Sequence, residues 1–136
     1  MSGAEVPAEL NTRINTIEEA YEFMLAYASQ GLASDKDNDT GRQAREYLKR
    51  CSTALDDFGD FLIGFVERLG LEPLTAYRAF IAVIGRDARD AQAALQLVLA
   101  QPAISSQMVD NLNASIHLRA LLTDLFLIDE VLKAHR

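Results

Sequence analysis

The side chains best spaced for chemistry are Asp35, Asp37, Asp39 and Glu46. Counted from Asp35, they stand at the first, third, fifth and twelfth places of a twelve-residue stretch, where a calcium-binding loop puts oxygen ligands. A weak divalent-cation site on these four carboxylates is therefore one expectation. The rest of the stretch argues against it. The sixth place needs glycine for a sharp turn and holds Thr40, with Gly41 one residue late. The eighth place, an apolar anchor between paired loops, holds Arg42, and no second loop exists to pair with. A simpler reading makes residues 35–39 a solvated turn. Thr40 and Gln43 then form the capping box of a helix that carries Glu46 on its wet face.

Other chemistry has less to stand on. Carboxylate-bridged metals in helical bundles use Glu-x-x-His pairs. The two histidines here, His117 and His135, are preceded three residues earlier by Ala114 and Leu132. A phosphate-accepting histidine is usually followed by a lysine and a small residue, and "HLRALL" has neither. Asp56, Asp57 and Asp60 fall on outward heptad positions, so they read as a solvated acidic face. The single cysteine, Cys51, lies between Leu48 and Leu55 and reads as a small buried apolar group. No Gly-x-Ser-x-Gly stretch or glycine-rich phosphate loop occurs. No catalytic residue is assigned, an enzyme is not expected, and the weak ion is the only cofactor considered.

The elements that must position these groups are helical. Ile17, Tyr21, Met24, Leu25 and Ala28 recur at helical spacing after a Thr16–Glu19 capping box. Residues 1–15 read as a flexible arm and 16–136 as one bundle domain. Leu48, Cys51, Leu55, Phe58, Leu62, Phe65 and Leu69 form an unbroken heptad seam that stops at Gly70. Pro73 suits a first helical position. Beyond it Tyr77, Ile81, Ile84, Ala88, Ala91, Leu95 and Val98 repeat the pattern up to Pro102. The small middle of that helix (Gly85, Ala88, Ala91) invites a close neighbour, with the phenylalanines of the second helix as candidates. A fourth helix is expected from Ser105 or Ser106 nearly to the C-terminus. Four amphipathic segments on short connections predict an all-α, antiparallel four-helix bundle in up-down-up-down order.

The fourth segment carries more apolar surface than one core needs. Leu118, Leu121, Leu125, Ile128 and Leu132 make one stripe, with Leu122 beside it. Val109, Leu112, Ile116 and Leu127 fall nearly opposite at 100° per residue, and Phe126 and Val131 widen the surface. Such a helix is buried on more than one side. Leu112, Ile116, Phe126, Leu127 and Val131 are therefore expected to bind a partner, most simply a second copy of the chain in a homodimer.

Bulk properties bound the function. The chain has 136 residues, a net charge of −7 and a pI near 4.7. Nucleic acid and anionic membrane surfaces need concentrated Lys/Arg and are not expected partners. With one cysteine and no leader-like N-terminus, a cytoplasmic location is expected. The function expected is non-enzymatic protein–protein interaction in an adaptor, regulatory or assembly role, with the fourth helix as its surface. The alternative is a bundle that binds a small molecule or a metal.

Overall fold

Residues 5–135 are described by the structure, a computed structural model, and they form six helices and no strands. These are α1 (Glu5–Ala28), α2 (Asp39–Ala54), α3 (Phe58–Leu69), α4 (Leu74–Leu99), α5 (Ser106–Ala114) and α6 (Ile116–Lys133). Residues 1–4 of the expected arm, and Arg136, lie outside the described residues. The rest of that arm is helix from Glu5, because Leu10 and Ile14 continue the spacing of Ile17 and are buried with it. Thr16 is consequently inside α1, where its hydroxyl donates to the Thr12 carbonyl rather than capping.

The helices pack in a way compatible with a bundle. α1 lies against α2 and α5, α4 lies against α2, α3 and α6, and α5 also touches α4 and α6. The third expected helix is α4, although Pro73 stands just outside it as the N-cap. The second and fourth expected helices are each broken in two.

The α2–α3 break spans Leu55 to Asp57, and Asp57 adopts the left-handed conformation at φ 49°. Aspartate enters that region more readily than most residues, since its short polar side chain bonds locally. Breaking a helix orphans carbonyls, and two distant side chains take them up. Gln92 of α4 donates to the Ser52 carbonyl (2.7 Å) and to Asp56 Oδ1 (2.6 Å), while Arg13 of α1 donates to the Asp56 carbonyl (2.9 Å). The interruption returns the chain to the same face, so Leu48, Cys51, Leu55, Phe58, Leu62 and Phe65 are all buried as the heptad requires. Gly59 of α3 approaches the small middle of α4, and Phe58 lines a cleft together with Gly85 and Ala88. A Cβ on Gly59 would stand 3.2 Å from the Cα of Gly85.

The α5–α6 break is a single extended residue, Ser115 (φ −64°, ψ 142°). Its N–H donates to the Leu112 carbonyl (3.1 Å), ending α5, and its Oγ accepts from the Leu118 N–H (3.5 Å), starting α6. One serine thus satisfies groups of both helices.

Candidate functional site

The stretch from Asp35 to Glu46 is a structural clasp. Asp35, expected in a solvated turn, is buried. Its Oδ2 accepts from Arg45 Nε (2.9 Å) and its Oδ1 from the Ile104 N–H (2.6 Å). Arg45 continues to the carbonyls of Leu99 (2.9 Å) and Gln101 (3.1 Å). Two connections distant in sequence are therefore tied through one ion pair. Burial raises the Asp35 carboxyl pKa, but the Arg45 hydrogen bond, the Ile104 and Asp35 backbone N–H groups and the Arg45 charge outweigh it. The net shift is downward, below the ordinary aspartate value.

The remaining carboxylates have separate employment. Asp39 pairs with Arg42, Glu46 lies 3.6 Å from Arg50 Nε on the exposed face, and Asp37 is exposed with φ 64°. Among the described residues, no group of three or more His, Cys, Asp or Glu side chains is placed to hold a metal ion. The helix cap is Asn38, whose side chain accepts from the Gly41 N–H (2.5 Å), and not Thr40 with Gln43. Asn38→Ala should accordingly cost about 1 kcal/mol. A thermal melt unchanged by that substitution would show that the cap contributes nothing.

The expected partner-binding residues divide at Ser115. On one continuous helix Leu112 and Ile116 would share a face. The break turns α5 independently of α6, and Leu112 is in the core at 5% exposure while Ile116 is 73% exposed. Leu112 is thus withdrawn from the surface. Phe126, Leu127 and Val131 are 60%, 53% and 40% exposed, whereas Leu118, Leu121, Leu122, Leu125, Ile128 and Leu132 are buried. Beside the exposed trio runs a groove of about 330 Å³, walled by Pro73, Ala76, Tyr77 and Phe80 on one side and by Leu127, Ile128 and Val131 on the other. No charged side chain lines it. The sequence puts Tyr77 in the apolar seam of its helix and does not single out Phe80, because a groove needs two helices in register.

Asp124 is the residue that the sequence reading passed over. It is 9% exposed in the buried face of α6, and its Oδ2 has no hydrogen-bond partner. Burial, a hydrogen bond to Asp87 of α4 and the Asp87 charge push its carboxyl up to about 7. A signal existed: Asp124 stands three residues after Leu121 and four before Ile128, inside the apolar stripe.

Elsewhere the groups are quieter. Burial pushes the Cys51 thiol up to about 12, so it stays protonated and unreactive. His117 is exposed. Asp56, Asp57 and Asp60 are exposed, as their outward heptad positions require, and line a cleft of about 290 Å³ with Arg89 and Gln92. No helix among the described residues is long and apolar enough to cross a membrane. No protein-family description, curated protein or solved structure matches this chain with significance.

Proposed function

We propose that this protein works by protein–protein contact, with the outer face of α6 as its docking surface and a second copy of the chain as the simplest occupant. The observation that carries this reading is the exposure of Phe126, Leu127 and Val131, the last two of which line an apolar groove. Contiguous exposed apolar surface marks interaction sites, because water charges for every square ångström left uncovered. Ile116, at the other end of α6, extends the same face. In this proposal α2–α3 and α5–α6 each serve as one broken arm of an antiparallel four-segment bundle, and the protein acts as an adaptor, regulator or assembly factor in the cytoplasm. A buried free cysteine suits a reducing compartment.

The groove volume supports a second reading, a small apolar ligand, since ligand pockets begin at about 300 Å³. Sedimentation velocity and native mass spectrometry separate the two. A dimer is expected for the wild type, with Phe126→Glu and Leu127→Glu each shifting it to monomer by roughly tenfold or more in dissociation constant. Their melting temperatures should stay near that of the wild-type monomer, because both residues are exposed. A wild-type chain that stays monomeric at high concentration would refute self-association. A bound small molecule in the native spectrum would favour the ligand.

A further inference from the structure

The outer face of α6 is built like one half of a helix pair. Ile116, Ala120, Thr123, Leu127, Glu130 and Ala134 follow one another at alternating intervals of four and three. At 100° per residue they form a second seam, opposite the buried one that runs from Leu118 to Leu132. Ala120 is half-buried and the other five are exposed. Phe126 flanks this seam on the side of Arg119, and Val131 flanks it on the side of the groove. The alternation is that of a coiled-coil contact, with no helix of the same chain to meet it.

Charge gives the seam a direction. Arg119 stands near its N-terminal end and Glu130 near its C-terminal end, about 17 Å apart along the helix. Both point outwards, within about 40° of Thr123 on the side of Phe126. Among the described residues Arg119 makes no ion pair, and Glu130 has a loose contact of 3.9 Å with Lys133 of its own helix while its side chain stays 77% exposed. Two copies laid parallel would set Glu130 against Glu130 and Arg119 against Arg119, and like charges facing across an interface oppose association. Laid antiparallel, each end brings Arg119 of one copy to Glu130 of the other.

We propose that two copies of the chain associate through an antiparallel α6–α6 pair, with Thr123 of each copy against Leu127 of the other and Arg119 of each copy paired with Glu130 of the other. The pairing rests on the docking face proposed above and adds its orientation and register. Counting outwards from Thr123 against Leu127 puts Ala120 against Glu130 and Ile116 against Ala134. Arg119 precedes Ala120 on the side to which Glu130 leans, so its guanidinium reaches that carboxylate past a small side chain. The two Phe126 rings meet on the same side, close to the two-fold axis. Ile116, ten positions away from the nearest other exposed large apolar residue of α6, gains Val131 of the other copy as a neighbour. The two-fold repeats every contact, so each substitution acts twice.

Sedimentation equilibrium of charge-reversed chains tests the pairing. Arg119→Glu and Glu130→Arg should each raise the dimer dissociation constant roughly tenfold or more, because each sets like charges together at both ends of the contact. The double variant carrying both changes restores opposite charges and should return to within about threefold of wild type. Both positions are exposed, so the fold is unaffected. A nitroxide on His117→Cys reports orientation, since the buried Cys51 does not compete for the label. Antiparallel helices place the two labels roughly 25 Å or more apart, and parallel helices place them within about 15 Å. A wild-type chain that is monomeric at high concentration overturns the docking face and the pairing together. The pairing alone is overturned by a wild-type dimer whose single reversals leave the dissociation constant unchanged, whose double variant stays as weak as the singles, or whose labels lie close.

Discussion

Gly41→Ala is expected to lower the melting temperature by roughly 5–10 °C, although alanine is the better helix former. Two effects compete at this position in the first turn of α2. Intrinsic propensity favours alanine by about 1 kcal/mol. Against it, a Cβ at Gly41 would collide with the backbone of Asp35, at its carbonyl and Cα. Neither side can yield easily. The Asp35 side chain is fixed by Arg45 and Ile104, and α2 is fixed by the burial of Ala44, Leu48 and Cys51. Overpacking of this kind costs about 1–3 kcal/mol, and contact with backbone on both sides places it at the upper end. The steric effect wins. Gly64→Ala is the matched control, because nothing lies within 4 Å of its added Cβ. It should stabilise the protein by up to about 1 kcal/mol. If alanine at position 41 raised the melting temperature as it does at 64, the close approach would not exist in solution.

Asp35→Ala should be comparably damaging, with a loss of about 3 kcal/mol at neutral pH. Removing one partner of a buried pair costs about 3–5 kcal/mol because the other charge is left uncompensated. The Arg45 side chain is a quarter exposed and recovers part of that from water, so the low end applies. The Ile104 N–H also loses its acceptor. Asp35→Asn can still accept that N–H and should lose less. The pH dependence has a definite sign. The folded-state pKa of Asp35 is lowered, so its contribution is full above the ordinary aspartate pKa and is lost as pH falls through the folded value. Urea denaturation should therefore show a wide gap between wild type and Asp35→Ala at pH 7 that narrows towards pH 3. A gap of the same width at both would mean that the charge on Asp35 contributes nothing. The Gly41 and Asp35 substitutions act on one contact and should not add.

What could be read in advance was what depends on periodicity. The seam from Leu48 to Phe65 and the stripe from Leu118 to Leu132 are buried where helical spacing puts them. The breaks at Asp57 and Ser115 were not legible, because neither carries the proline or glycine that usually punctuates a helix. Asp57 sits in a turn whose carbonyls are taken by Arg13 and Gln92, residues far away in sequence. The clasp was hidden for the same reason. Asp35 and Arg45 are ten residues apart, but what they jointly hold begins at Leu99. The Asp35–Glu46 spacing that resembled a calcium loop coincides with a tight backbone crossing, and Gly41 serves the crossing. Leu112 lies in the core and not on the expected outer face because α5 and α6 have separate axes on either side of Ser115. The surplus of Phe126, Leu127 and Val131 is visible from helical spacing, whereas the groove beside them depends on how α4 and α6 meet.

The break at Asp57 also divides the chain's cooperativity. α2 is held by α1 and α4, whereas α3 has α4 as its principal neighbour. A continuous helix would have spread both attachments along one rigid rod, so that neither half could open without the other. With the left-handed Asp57 between them, α2 and α3 are separate rods, and α3 is held through Phe58, Leu62, Phe65 and Val66, which it buries in the core. Hydrogen exchange of a unit with one anchor proceeds through partial opening, at a free energy below that of unfolding the whole chain. Amides of α3 are therefore expected to exchange at a lower free energy than those of α2, and equal free energies would show that the break leaves the two helices one cooperative unit.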